Sequence, residues 1–491
     1  MLISRFEDPS FEVCNTQVPL PFRFSWQLIS YIMIRLFKKL LTSTWHDCTS
    51  RKSYASRHND LDLGLRVHDE QTTRSFIRIP NNRRAEHIAI LGKTGTGKSS
   101  LLRYLLKQDI VAGRGFACFD LHGDVTGFVL ATVAAHERTV KKDLSERLIV
   151  VEPSDRDFSV GLNPLEQQNS GDRFVQIAEF AQVLKQRWHL ESFGARTDEL
   201  LRNSLHVLAE SGLTLLELAP LLSHSAFRAK CLEHLTNPEI KQYFALRYDQ
   251  ASEPMRSTMR EPILNKTSAF TADPHFRHIV GQEHSTFSVL DAIDRGQWLV
   301  LNLHKGRLGE QAATLGSLFL TTIKNALFSR TKRELFTLYC DEIQNLVSYG
   351  SGLDTILSEA RKFWVSVVSA NQFLNQYPIE MRSAILAVGT HVFFGLSSPD
   401  AQQIATALDG GRSLAELLKN LPRRHMVIKT GSERWREGVV PTLTEPKIDS
   451  SDLYRRCRAR WARKRSEVEE EIARRQSVVS GSNNEVLHDW E

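Results

Sequence analysis

Cysteine is scarce in this chain, with six in 491 residues, and none of the six falls in a Cys-x-x-Cys pair. That spacing excludes a disulfide scaffold and a thiolate zinc site and points to a reducing compartment. Cys118 and Cys340 lie inside apolar, strand-like runs, where the thiol acts as a small buried hydrophobe. Histidine is more frequent, at 17, but none stands in His-x-x-x-His or His-Glu-x-x-His spacing, so structural histidines are expected rather than a metal centre. Long apolar runs are missing as well. The longest near the N-terminus covers residues 25–34 and is closed by Arg35, Lys38 and Lys39, whereas a membrane-spanning helix needs roughly 20 apolar residues. Two readings of residues 25–41 stand side by side: a basic amphipathic helix lying on a membrane surface, or an ordinary helix packed on its domain. A secretory signal is not expected, because no small-residue cleavage site follows the apolar run. A large excess of one charge is absent too: 63 Lys+Arg against 57 Asp+Glu leave a net charge of +6, which permits nucleic acid without demanding it. Hydrophobic content of 41% with 24% charged residues excludes fibrous and fully disordered classes.

What the chain does have is a glycine loop in a specific setting. Gly92, Lys93, Thr94, Gly95, Thr96, Gly97, Lys98 and Ser99 follow the apolar run Ile88-Ala89-Ile90-Leu91 and precede a leucine-rich helical run starting at Ser100. Strand, glycine loop and helix in that order form a P-loop. Backbone N–H groups turn inward around a polyphosphate, the helix directs its positive end at the same place, Lys98 supplies a cation, and Ser99 offers a hydroxyl to Mg²⁺.

Strands alternate with helices on both sides of this loop. Expected strands at 87–91, 116–120 and 148–152 form the first half of a parallel α/β sheet. Between about 170 and 276 the valine-rich runs stop and leucines recur at helical spacing, which predicts an all-α insertion. Strands at 298–303, 335–340, 364–369, 390–395 and 425–429 then complete the sheet. The expected organisation is an N-terminal appendage over 1–75, irregular and membrane-peripheral on the first reading of 25–41. An ATPase core follows in two halves, 76–169 and 277–450, around the insert 170–276. Residues 451–491 are read as one charged helix over 453–476 and a disordered tail.

Hydrolysis needs acids as well as a phosphate loop. The apolar run at 336–340 ends in Asp341 and Glu342, placing one carboxylate to hold the Mg²⁺ shell and the next to accept a proton from the attacking water. No Asn-Lys-x-Asp guanine-reading element occurs, so ATP is the expected nucleotide. Gln372, at the tip of the strand at 364–369, reads as a γ-phosphate sensor or as a cap of the next helix. Arg361 reads as an arginine finger reaching a neighbouring subunit or as a solvated cation at a helix end. Lys305 and Arg307 lie in a loop after a central strand, either against phosphates or in solvent. The basic run from Arg455 to Arg465 either binds nucleic acid or, with acids three and four residues away, forms a solvated helix.

The motifs GKTGTGKS, CFDLHGD, GLNPL, LVLNLHKGRLGE, LYCDEIQNL, SEARKFW, SANQF and SSPDAQQIA, in this order, resemble those of the HerA/FtsK-type motor ATPases, and within them the coupling proteins of conjugation and type IV secretion, the TraG/TraD group. The resemblance runs from about residue 79 to 429. It implies a RecA-like P-loop NTPase fold and a ring, commonly a hexamer, that moves DNA with ATP and Mg²⁺. It assigns Lys98 and Ser99, with Ser100 beside them, to the phosphates and the metal, Asp341 and Glu342 to hydrolysis, Gln372 to sensing, and Arg361 to a finger acting across a subunit boundary. Such coupling proteins usually begin with two membrane-spanning helices, and this chain departs from that. The expected location is therefore the cytoplasm or the inner face of the cell membrane. Three functions follow: a translocase coupled to a relaxase and secretion channel, a soluble HerA-like motor working with a nuclease, or a nucleotide-gated recruitment platform.

Overall fold

Apolar side chains occupy both faces of the short core strands, so the sheet they form must be covered on both sides. The computed structural model describes residues 60–167, 173–190, 194–346, 353–377 and 379–487. The expectation for residues 25–41 lies outside them. The strands are β1 (Leu61–His68), β2 (Gln71–Ile79), β3 (Ile88–Leu91), β4 (Gly115–Asp120), β5 (Leu148–Val151), β6 (Trp298–Asn302), β7 (Phe336–Asp341), β8 (Val365–Asn371), β9 (Thr390–Phe393), β10 (His425–Thr430) and β11 (Arg436–Val439). They make an 11-stranded sheet in the order β2-β1-β11-β10-β9-β3-β8-β7-β4-β6-β5. The strands from β9 to β5 are parallel, and those from β10 to β2 pair antiparallel at one edge.

Side chains alternate cleanly between the two faces. Ile88, Ile90, Phe116, Cys118, Trp298 and Val300 join one buried cluster, while Ala89, Leu91, Ala117, Phe119, Leu299 and Leu301 join the other. On the first face lie α1 (Lys98–Val111) and α2 (Thr126–Val140), with Leu101, Leu102, Leu105, Leu106 and Ile110 of α1 buried. Each such side chain stabilises by about 1.5–3 kcal/mol. The second face carries the helices that separate β5 from β6, among them α3 (Arg173–Arg187), α4 (Ala195–Glu210) and α5 (Glu253–Thr271), together with α6 (Gln311–Ser329). These helices share one continuous apolar cluster with the sheet.

Two expectations are corrected. Residues 61–79 are not irregular: they form the hairpin β1–β2, turned at Asp69 and Glu70 with φ of 48° and 62°, the left-handed geometry of a tight two-residue hairpin turn. The alternation of Leu61, Leu63, Leu65 and Val67 is the strand signal. Nor do residues 451–487 form one solvated helix that ends at 476, and the last four residues of the expected disordered tail lie outside those described. The segment divides into α9 (Ser451–Trp461) and α10 (Arg465–Leu487), with α7 (Leu353–Glu359) and α8 (Ser398–Ala407) preceding them in the chain. The break comes where Arg463 and Lys464 pair antiparallel with Ser159 and Phe158. Its arginines are used internally. Arg456 bonds both carboxylate oxygens of Glu137 at 3.1 and 2.7 Å, and also reaches Asp143; Arg458 pairs with Asp155 at 3.2 Å. Arg475 pairs with Glu217 at 3.1 Å, and Leu453, Cys457, Val468 and Ile472 are buried. The charged tail is a strap across the core and the helical layer, not a free face.

A second internal ionic feature ties the P-loop helix to β7. Asp109, on the buried stripe of α1, accepts from Arg84 at 2.8 and 2.7 Å, from Arg114 Nε at 2.7 Å and from the Tyr339 hydroxyl at 2.7 Å. Arg84 and Asp109 are both 0% exposed. Burial opposes both charges. The pairing overrides it, so the Asp109 carboxyl is held below, and the Arg84 guanidinium above, its ordinary pKa.

Candidate active site

The C-terminal ends of β3, β8, β7 and β4 lie side by side, and each delivers one part of the site. From β3 the chain enters the glycine loop, which is fastened on three sides. The N–H of Gly92 donates to Asn371 O at 3.1 Å, that of Lys93 to Gly395 O at 2.9 Å, and that of Arg424 to Thr96 O at 2.7 Å. Gly92 is obligatory, since a Cβ there would sit 2.6 Å from Phe394 Cβ; Gly97, at φ 128°, caps α1 with no side-chain hydrogen bond. The first N–H groups of α1 are therefore uncapped by side chains and face the loop, the arrangement that binds anions. Lys98 is 8% exposed and donates to the carbonyls of Gly92 at 2.6 Å and Lys93 at 3.1 Å. Burial lowers its pKa, against the pull of Asp341 and Glu342. Ser99 and Ser100 follow on the first turn of α1.

Strand β7 ends in Asp341, and burial, with Glu342 and Asp120 adding to it against Lys98 and His122, pushes its carboxyl up to about 6. A carboxyl in that state is short of positive charge. Asp341 and the Ser99 hydroxyl are hard-oxygen donors of the kind that could hold Mg²⁺ beside phosphates. Glu342 then takes the left-handed conformation, φ 52° and ψ 50°, with its N–H bonded to Ala370 O at 2.8 Å. This uncommon geometry for a non-glycine residue re-aims the chain at the strand end. Gln372, just past β8, donates from Nε2 to Glu342 Oε1 at 2.8 Å and accepts from the Thr94 hydroxyl at 3.1 Å. A continuous polar line thus runs from the P-loop through Gln372 to Glu342.

Of the residues expected from sequence, the structure brings together Lys98, Asp341, Glu342 and Gln372 with the loop. It does not bring Arg361 there. Arg361 sits in the turn Ala360–Phe363 ahead of β8, at the opposite end of the strands, 68% exposed and 3.4 Å from Glu86. Sequence reasoning missed Arg424, which holds the loop from β10, and His122, whose Nε2 is 3.3 Å from Glu342 Oε2. For His122 a signal existed, since it follows an apolar strand that adjoins the acidic one. For Arg424 none did, because its contact depends on long-range register.

Residues 65–304 match the model of the family described as helicase HerA, central domain. The chain has the fold of a HerA/FtsK-type motor ATPase. No curated protein matches it in sequence. Among solved structures, this chain is similar to the plasmid coupling protein TrwB in complex with a non-hydrolysable ATP analogue, at TM-score 0.55 and 17% identity, covering 79% of this chain and 92% of that one. TrwB in complex with ADP and Mg²⁺ aligns with TM-score 0.54 and 16% identity over 80% and 97% of the two chains. VirB4 of Thermoanaerobacter pseudethanolicus aligns with TM-score 0.54 and 16% identity over 78% and 96%. At these identities the likeness is one of fold. The family match ends before Asp341, so Asp341 and Glu342 rest on the geometry above. Among the described residues no helix is long and apolar enough to cross a membrane.

Proposed function

We propose that this chain is an ATP-hydrolysing motor that moves DNA as a ring, in the manner of the coupling proteins of conjugation and type IV secretion. The observation that carries this reading is the line Thr94–Gln372–Glu342 joining the phosphate loop to a carboxylate fit to accept a proton, with buried Lys98 and half-buried Asp341 beside it. In the proposed reaction Lys98 and the N-terminal N–H groups of α1 hold the phosphates of ATP, and Ser99 and Asp341 hold Mg²⁺. Bound there, the metal neutralises phosphate charge. Glu342 takes the proton of the attacking water, while Gln372 links that carboxylate to the loop.

The place of Arg361 supports assembly. A cation at the far end of the strands cannot serve its own site, so a finger role requires a neighbouring subunit, and an isolated subunit would lack that charge in the transition state. A hexameric ring meets this need. DNA is the proposed cargo, with a relaxase and secretion channel, or a nuclease, as protein partner. A nucleotide-gated recruitment platform is the second reading. It is favoured by an open groove of about 700 Å³ on the helical layer, flanked by exposed Phe174, Val175 and Leu246. Hydrolysis measured with and without DNA over a range of salt separates the two. DNA should stimulate turnover, and Lys98→Ala should lose nucleotide binding or turnover; hydrolysis indifferent to DNA at every salt concentration refutes the motor and leaves the platform.

A further inference from the structure

We infer that His122 is a positioning residue for hydrolysis, holding Glu342 from the side opposite Gln372. The inference deepens the ATPase reading and rests on it. Glu342 Oε1 accepts from Gln372 at 2.8 Å, and its Oε2 lies 3.3 Å from His122 Nε2. The carboxylate is thus hydrogen-bonded through one oxygen and in ion-pair contact through the other. One donor alone would leave the group free to swing about its own bonds; two fix its plane.

The turn that carries His122 is built more firmly than a half-exposed surface contact requires. Asp120, at the end of β4, accepts from the N–H of Gly123 at 2.8 Å, of Val125 at 3.0 Å and of Thr126 at 2.7 Å, and from the Thr126 hydroxyl at 2.7 Å. From the other side, Leu303 N–H donates to Asp120 O at 2.8 Å and Lys305 N–H to Leu121 O at 3.0 Å. Gly123 has φ 79°, and a Cβ there would meet His304 Cδ2 at 2.6 Å, so the loop after β6 closes directly on the turn. His122 itself is 49% exposed, and an exposed pair of this kind contributes little to stability. A rigid turn presenting one donor to the proton acceptor is instead the arrangement that preorganises a reacting group. Because the same turn supports the short helix Lys305–Leu308, the position of Glu342 is referred to that helix as well as to the glycine loop.

The test is steady-state ATP hydrolysis by the full-length chain with DNA, together with titration of a fluorescent ATP analogue. The proteins compared are the wild type, Glu342→Gln, His122→Phe and His122→Gln. The phenyl ring keeps the bulk and removes the donor; glutamine returns an N–H at similar reach. His122→Phe should lower kcat about 10- to 100-fold, the scale on which a misplaced reacting group slows a reaction, with KM and analogue affinity within about twofold of wild type. His122→Gln should recover a large part of kcat. Wild-type kcat in His122→Phe, a loss expressed in KM, or no difference between the phenylalanine and glutamine variants overturns the inference. Absence of hydrolysis in the wild type, or its persistence in Glu342→Gln, overturns the ATPase reading and this inference with it.

Discussion

Replacing Asp109 with alanine tests whether the buried ionic cluster holds the P-loop helix to β7. The substitution leaves Arg84 at zero exposure with only the hydroxyls of Thr337, at 3.0 Å, and Tyr339 beside it, and it removes the acceptor of the Tyr339 hydroxyl. An uncompensated buried charge costs about 3–5 kcal/mol, and an orphaned hydroxyl about 1 kcal/mol more, so a loss of about 4–6 kcal/mol is expected. Arg114→Met removes only the outer partner and should cost about 1–2 kcal/mol. Urea unfolding followed by circular dichroism gives the change in midpoint, and hydrogen exchange in α1 and β7 reports the same loosening without assuming a single transition. The double variant Arg84→Met/Asp109→Leu, which leaves no charge unpaired, should recover more than half of the loss. The pH dependence has a definite sign. The folded Asp109 carboxyl lies below its unfolded value, so its contribution is present above about pH 4 and is lost as pH falls through the lower folded value. The gap between wild type and Asp109→Ala should therefore narrow in acid. A cost below about 1.5 kcal/mol, or a double variant no better than the sum of the singles, would refute the reasoning.

Two further outcomes are expected. Asp341→Asn should abolish turnover yet raise the stability of the nucleotide-free protein at pH 7 by about 1–3 kcal/mol, because the folded carboxyl titrates near 6 rather than near 4 and its ionised form is disfavoured; thermal unfolding that shifts downward contradicts this. Arg361→Ala should leave nucleotide affinity within about threefold and reduce ring-dependent hydrolysis by about 10³-fold or more, measured by turnover against protein concentration. Retained turnover removes the finger assignment.

The parts of the site that were legible in sequence are those whose chemistry is local. Ile88 to Ser99 announce strand, loop and helix within a dozen residues, and the acids at 341 and 342 follow directly from the apolar run before them. The insertion was visible through the change from valine-rich runs to leucine spacing. What stayed hidden depends on pairing across long separations. The arginines of the tail read as a solvated face because their partners Glu137, Asp143, Asp155 and Glu217 lie about 250–320 residues earlier in the chain. The break before Arg463 arises from a two-residue pairing with Phe158 and Ser159 that no helical pattern contains. Asp109 was the exception, a charge on the apolar stripe of α1 that could have signalled a buried partner. The alternation in β1 was also present, but its neighbour in the sheet comes from the far end of the domain.

That last pairing constrains how the protein is made. Leu65 lies opposite Val439, so β1 emerges from the ribosome about 370 residues before its partner, an interval of roughly 20–75 s at ordinary rates of synthesis. During this interval β1, its hairpin mate and the P-loop strand all wait for β9, β10 and β11, with their apolar faces and open edges unprotected. The nascent chain therefore cannot close its glycine loop until its last third has been made, since Gly395 and Arg424 supply two of the fastenings.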